Sequence, residues 1–225
     1  MKIKLFRTFI LILLVAMSLI SCAQGNKFVI KSGKFVDKAT GLEYFSASWE
    51  YEAMAITDEI HGEYTDKYDL TFYRVGSGVD PSKILTDEVG TVYYTKNVTL
   101  PILEDTDSIK YADVCNEYDE LVATVTDKAI VTEIANLFLN GYNAYESMYF
   151  VEGEPAVALN RRIKFAYSEL GIYYVLAYVE YAESFCYYDA NGQEKYSNKV
   201  LFNRYTKTYV PLEESLSGYF TASNE

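Results

Sequence analysis

The sequence predicts an α+β fold, in which a mostly antiparallel sheet carries one main helix and a short C-terminal helix. Most of the chain beyond residue 26 consists of short segments that alternate apolar and polar residues, the pattern of half-buried strands. Residues 127–140 instead repeat apolar side chains at helical spacing. Residues 212–217, between Pro211 and Gly218, form a second and shorter helix candidate. One helix followed by consecutive strands favours a helix packed on a sheet.

The main helix has a start, an apolar stripe and a stop in the sequence. Thr126 or Asp127 can act as the N-cap, because a short side chain with an acceptor oxygen bonds a free N–H group of the first turn. The stripe consists of Ile130, Ile134, Leu137 and Phe138, with Val131 beside it. Gly141 predicts that the helix ends at a left-handed position, which glycine adopts without steric cost.

Period-two alternation places particular side chains on a core face in the first half of the chain. Residues 45–53 alternate between an apolar set that includes Trp49 and a polar set that includes Glu50 and Glu52. We therefore expect the single tryptophan to lie in the core and the two glutamates to face water.

The last third of the chain predicts a run of strands. Ile163, Phe165 and Tyr167 alternate with Arg162 and Lys164, the pattern of a strand with two different faces. Residues 172–179 are apolar on both faces, which predicts a central, covered strand. Gly171 and residues 189–192 predict the tight turns on either side.

Two strand-rich regions are predicted, over residues 27–115 and 116–225. The acidic stretch over residues 104–120 separates them. Whether the N-terminal strands form their own lobe or join the C-terminal sheet in one continuous domain stays open at this point.

The N-terminus has the features of a secretory leader. Lys2, Lys4 and Arg7 precede nine apolar residues over 9–17, too few for the roughly 20 residues of a spanning helix. The sequence Leu19-Ile20-Ser21-Cys22 follows, and here the chain resembles bacterial lipoprotein precursors. The resemblance implies a signal peptide over residues 1–21, a diacylglyceryl group on Cys22, and a short lipidated tether over residues 22–26. Two or more acyl chains would give a lasting membrane anchor.

Composition narrows the range of partners. The net charge of −12 becomes −15 once residues 1–21, with three positive charges, are removed. Nucleic acid is not expected as a partner, because phosphate contacts need Lys and Arg.

An apolar content of 50% excludes disorder. The 23 tyrosines are typical of half-exposed strands, and the alternative is an aromatic surface for a glycan or protein partner.

Cys115 and Cys186 remain if Cys22 is lipidated. Outside the cytoplasm an even pair of cysteines can form a disulfide. The alternative is two buried free thiols, since cysteine often packs as a small apolar group. Spacing alone does not decide between them.

Recognisable catalytic and metal-binding motifs are absent from the sequence. His61 is the single histidine, so a zinc site with several His or Cys ligands is not expected. Residues 104–120 lack the spacing of a calcium loop, and Ser77 lacks a nucleophile-elbow motif. We predict no catalytic, cofactor-binding or metal-binding residues, and place His61 in a solvated surface loop.

These observations favour a binding module over an enzyme. The expected location is the cell membrane, with the lipid-anchored domain outside the cytoplasm and a protein, peptide or glycan as partner. The alternative is a carboxylate-based envelope hydrolase, which needs two acids that face each other across a cleft. The mature chain also resembles lipoproteins of Gram-positive bacteria that have no assigned activity, and this resemblance implies none.

Overall fold

The computed structural model describes residues 25–76, 78–150 and 156–212. Within them, strands account for 51% of the residues and helical segments for 9%. The strands are β1 (Asn26–Lys31), β2 (Lys34–Asp37), β3 (Glu43–Ser46), β4 (Tyr51–Ala53), β5 (Ile56–Tyr64), β6 (Leu70–Val75), β7 (Ile84–Thr86), β8 (Val92–Thr95), β9 (Ala112–Cys115), β10 (Leu121–Val125), β11 (Val157–Tyr167), β12 (Ile172–Tyr188), β13 (Glu194–Asn203) and β14 (Thr208–Pro211). Helix α1 spans Lys128–Asn140, and a 3-10 turn spans Thr106–Ser108.

Seven strands close into a small barrel in the order β1-β2-β3-β8-β7-β6-β5. Neighbouring strands are antiparallel except at the closure, where β1 runs parallel to β5. The buried interior consists of Phe28, Phe35, Tyr44, Tyr64, Phe72, Leu85 and Tyr93. Several of the rings meet edge to face, the arrangement that aromatic quadrupoles favour. The barrel interior is therefore a packed aromatic core.

The second sheet has the order β10-β9-β11-β12-β13-β14, with β4 added beside the start of β12. Because β4 lies between the barrel strands β3 and β5 in the chain, the polypeptide passes from barrel to sheet and back. Barrel residues Val75 and Ile84 belong to the same buried cluster as Ile163 and Phe165 of β11. Barrel and sheet thus share one hydrophobic core.

Helix α1 contributes to this shared core. The Asp127 carboxylate accepts a hydrogen bond from the Ala129 amide at 2.9 Å, which confirms the N-cap. The buried side chains of α1 are Val131, Ile134, Ala135 and Phe138. Gly141 ends the helix with a φ of −72°, so the predicted left-handed position is wrong. Glycine fits here because a Cβ atom would lie 2.1 Å from Cγ1 of Val210.

The predicted α+β class is wrong. The described chain is mostly β, with a closed seven-stranded barrel beside the second sheet, instead of a single sheet with a helix packed on it. Alternation within a strand shows which side chains share a face, but it does not show which strands pair. Of the predicted short helix over 212–217, only Leu212 falls within the described residues.

The sheets divide the chain differently from the predicted regions. The predicted division after Cys115 falls between β9 and β10, which pair with each other. The two turns in the last third are confirmed, since Gly171 and Gly192 have φ values of +64° and +72°. No helix among the described residues is long and apolar enough to cross a membrane.

Candidate binding site

The open face of the large sheet carries an unusual set of side chains. Ile163 and Phe165 of β11 point into the shared core with α1. Arg162 and Lys164 alternate with them and therefore point to the opposite face, together with their cross-strand partner positions on β12. The candidate site lies on this opposite face.

Four charged side chains on this face form a closed ring of ion pairs, which we call the charged quartet. Its members are Glu52, Asp119, Arg162 and Lys164. Lys164 Nζ lies 2.6 Å from Glu52 Oε1 and 2.7 Å from Asp119 Oδ2. Arg162 pairs with Asp119 at 2.7 Å and with the other Glu52 oxygen. Each carboxylate is shared by two cations, so the quartet is neutral overall.

Trp49 stands above this face with 94% of its surface exposed. It lies in a turn in which the Tyr51 amide donates to the Ser48 carbonyl at 3.1 Å. The Glu50 carbonyl, directly after Trp49, accepts from the Val175 amide of β12 at 2.7 Å. The backbone around the indole is thus fixed to the sheet, while the ring itself projects into solvent.

The turn between β13 and β14 presents a second aromatic ring. Asn203 is buried, and its Oδ1 accepts from the amides of Tyr205 at 2.9 Å and Thr206 at 3.1 Å. Its Nδ2 donates to the Tyr174 hydroxyl at 2.9 Å and to Glu50 Oε2 at 3.3 Å. Asn203 therefore holds in place the turn that carries Tyr205, which is 64% exposed.

A cavity of about 300 Å³, which we call the Trp49 groove, lies between these two turns. Its lining consists of Trp49, Glu50, Glu117, Asn160, Arg162, Val175, Leu176, Ala177, Phe202, Asn203, Arg204 and Tyr205. A second cavity of about 700 Å³ adjoins it, because Glu117 and Asn160 line both. Tyr118, 77% exposed, lines this second cavity.

The Trp49 groove also offers hydrogen-bonding groups to a ligand. Glu50 bonds Asn203 through one oxygen, which leaves its other oxygen available. The Arg204 guanidinium lies over the Phe202 ring, 5.5 Å from its centroid. Within the described part of the chain, neither Arg204 nor Glu117 forms an ion pair. Donors and acceptors thus surround an aromatic rim.

The two carboxylates of the charged quartet are already engaged. Glu52 and Asp119 each pair with both Arg162 and Lys164. Within residues 25–76, 78–150 and 156–212, no group of three or more His, Cys, Asp and Glu side chains is arranged to hold a metal ion.

Two sequence predictions about aromatic side chains are wrong. Trp49 is exposed because the predicted strand over 45–53 is broken into β3 and β4, and the indole projects outward from the turn between them, whereas Ala47 stays buried. His61 lies on β5, with its side chain 13% exposed and its Nε2 3.8 Å from Asp37 Oδ2. Burial lowers the pKa of His61, and the Asp37 charge opposes this shift. Asp37 also accepts hydrogen bonds from Asn26 and Thr40 at 2.8 Å, which indicates a turn-stabilising role.

The predictions for the three cysteines have different outcomes. Cys22 lies outside the described residues, so its lipidation stays a prediction. Cys115 and Cys186 are free and buried, and the disulfide between them is not formed. Cys115 lies two strands from Ala177, and Cys186 is nine residues further along β12. That offset corresponds to about 30 Å of extended strand, far beyond the reach of a disulfide. Burial also raises the pKa of the Cys115 thiol.

The most distinctive features of the site were not evident from the sequence. The alternation in β11 correctly places Arg162 and Lys164 on one face. Glu52, which is expected to face water, has a side chain only 19% exposed, and it and Asp119 reach the two cations only through the fold. Ser46 and Ser48, which precede Trp49, fit a half-exposed strand and give no signal that Trp49 leaves the core.

The fold and the site together define a mostly-β protein whose barrel and sheet share a core and whose sheet bears an aromatic-rimmed groove. The chain matches no protein-family model, no curated protein and no solved structure.

Proposed function

We propose that this protein is a lipid-anchored binding protein on the outer face of the cell membrane, and that the Trp49 groove is its ligand site. The anchor rests on the lipobox Leu19-Ile20-Ser21-Cys22 and the preceding leader. The net charge of −15 that remains without residues 1–21 is consistent with a soluble body held at a membrane by lipid alone.

The exposure of Trp49 is the observation that supports the ligand site most strongly. Tryptophan is mostly buried in folded proteins, and leaving such a ring in water forgoes roughly 3 kcal/mol of stabilisation. The backbone of this turn is fixed by hydrogen bonds to the sheet, so the exposure does not come from a loose loop. Exposed Trp and Tyr beside Arg and a concave surface are typical of binding sites.

The anchor is tested by the substitution Cys22→Ser. We expect the variant to keep its leader, to incorporate no labelled fatty acid and to lose detergent-phase partitioning, because the acyl-accepting thiol is gone. Ser21→Ala is the matched control, since it keeps a small residue before the cysteine and should be processed normally. Unchanged fatty-acid labelling of the Cys22→Ser chain would exclude the anchor.

The ligand site is tested by cross-linking the tagged full chain to its surroundings in cells that express it. We expect one dominant cross-linked species, with a yield about tenfold lower for Trp49→Ala, because an aromatic anchor dominates many binding interfaces. Tyr196→Ala is the matched control, since Tyr196 is 62% exposed but lies outside the groove. Equal yields from the two variants would show that the partner binds elsewhere.

A further inference from the structure

We propose that the Trp49 groove binds a neutral oligosaccharide, whose sugar rings run from Trp49 into the adjoining cavity beside Tyr118. This inference rests on the proposed function and names the class of ligand.

The aromatic rim fits the faces of sugar rings. A pyranose has a face of polarised C–H bonds and an edge of hydroxyl groups. The negative face of an indole or phenol ring attracts the C–H face of the sugar. Trp49 and Tyr205 supply two exposed rings at one cavity, and both are carried by turns whose backbones are fixed. Such rings are ready to stack without an ordering step, which lowers the cost of binding.

The polar lining fits the hydroxyl edges of the same rings. The free oxygen of Glu50 and the carboxylate of Glu117 can accept hydrogen bonds, and the Arg204 guanidinium can donate them. Among the described residues, no side-chain hydrogen bond engages the Asn160 amide, which can both donate and accept. A sugar hydroxyl both donates and accepts hydrogen bonds, so it needs an acceptor and a donor within hydrogen-bond distance.

An extended peptide fits this surface less well. The groove lies over β11, β12 and β13, whose backbone groups pair with one another at Arg162, Ala177 and Phe202. Within the Trp49 groove, a peptide laid over these positions cannot add a strand to the sheet, because the strands there already pair with one another. The groove therefore recognises its ligand through side chains.

The charges of the groove favour a neutral sugar. The charged quartet is internally paired and offers no net charge to a ligand. Glu50, Glu117 and Arg204 remain, and together they are slightly acidic, as is the whole chain. A sugar with carboxylate or phosphate groups would meet this negative potential at a cost.

The two adjoining cavities indicate a ligand of more than one ring. The Trp49 groove, at about 300 Å³, is at the small end of ligand sites, and the cavity next to it adds about 700 Å³. Tyr118 lies on the second cavity, so a chain of sugars that passes Glu117 and Asn160 would meet another aromatic ring.

The experiment uses the full chain, purified in a detergent without sugar groups, and titrates it with maltotriose, cellotriose and triacetylchitotriose. Because Trp49 is the single tryptophan, its fluorescence reports contact at the groove directly. We expect at least one neutral trisaccharide to shift the emission with a dissociation constant of about 1 mM or below. We expect trigalacturonate, which is anionic, to bind at least about tenfold more weakly.

Variants separate this inference from the proposed function. By calorimetry, Trp49→Ala should weaken trisaccharide binding by about tenfold and Trp49→Tyr by less, with Tyr196→Ala unchanged. Tyr118→Ala should weaken the trisaccharide but not the matching monosaccharide. If no trisaccharide binds while Trp49→Ala still abolishes the cellular cross-link, the ligand class is wrong and the site is right. If Trp49→Ala changes neither trisaccharide binding nor the cellular cross-link, both proposals fail.

Discussion

Replacing Lys164 with methionine is expected to lower the free energy of unfolding by about 3 kcal/mol, because it breaks a buried ion pair and leaves its partners under-compensated. The Lys164 side chain is only 6% exposed and contacts both carboxylates of the charged quartet. The expected loss is at the lower end for a buried pair, since Arg162 still contacts both acids and Asp119 is 41% exposed. Urea unfolding followed by circular dichroism measures the change.

Lys34→Met is the matched control. Lys34 pairs with Glu43 at 2.8 Å, but the two side chains are 33% and 47% exposed. Exposed pairs contribute little, so this loss should stay below about 1 kcal/mol. Adding Glu52→Gln to Lys164→Met should recover part of the stability, because it leaves one carboxylate, Asp119, for the one remaining cation, Arg162. Equal losses from Lys164→Met and Lys34→Met would show that the quartet is effectively solvated.

Local signals in the sequence predicted local structure well. The cap at Asp127, the end of α1 before Gly141 and the turns at Gly171 and Gly192 all depend on residues close together in the chain. The class of fold depends instead on strand pairing. The parallel contact of β1 with β5, which closes the barrel, joins residues more than 30 positions apart and leaves no mark on either segment alone.

The same limit applies to the candidate site. Glu52 and Lys164 lie 112 positions apart in the chain, and their contact exists only because β4 pairs with the start of β12 in the second sheet. The alternation around Trp49 predicts a core position for it. The buried residue of β3 is Tyr44 and that of β4 is Ala53, so the buried position is even-numbered in β3 and odd-numbered in β4.

Barrel closure can be tested at Gly62, the residue of β5 that pairs with Asn26 of β1. A Cβ atom at this position would lie 2.4 Å from the Asn26 carbonyl oxygen and 2.5 Å from Cε2 of Phe28. The carbonyl belongs to the backbone at the closure, and the Phe28 ring is packed against Phe72 with centroids 4.3 Å apart. Neither can move without disturbing the barrel core.

We therefore expect Gly62→Ala to destabilise the protein by about 3 kcal/mol, the upper end for an overpacked site. Gly192→Ala is the matched control: its φ of +72° adds backbone strain of about 1 kcal/mol, but nothing lies within 4 Å of the new Cβ atom. Because the clash separates β1 from β5, hydrogen exchange in Gly62→Ala should accelerate most in Asn26–Lys31, whereas β11 and β12 keep their protection. Uniform acceleration of hydrogen exchange across barrel and sheet would contradict this prediction. It would mean that barrel and sheet unfold as one unit, and that β1 does not separate from β5 on its own.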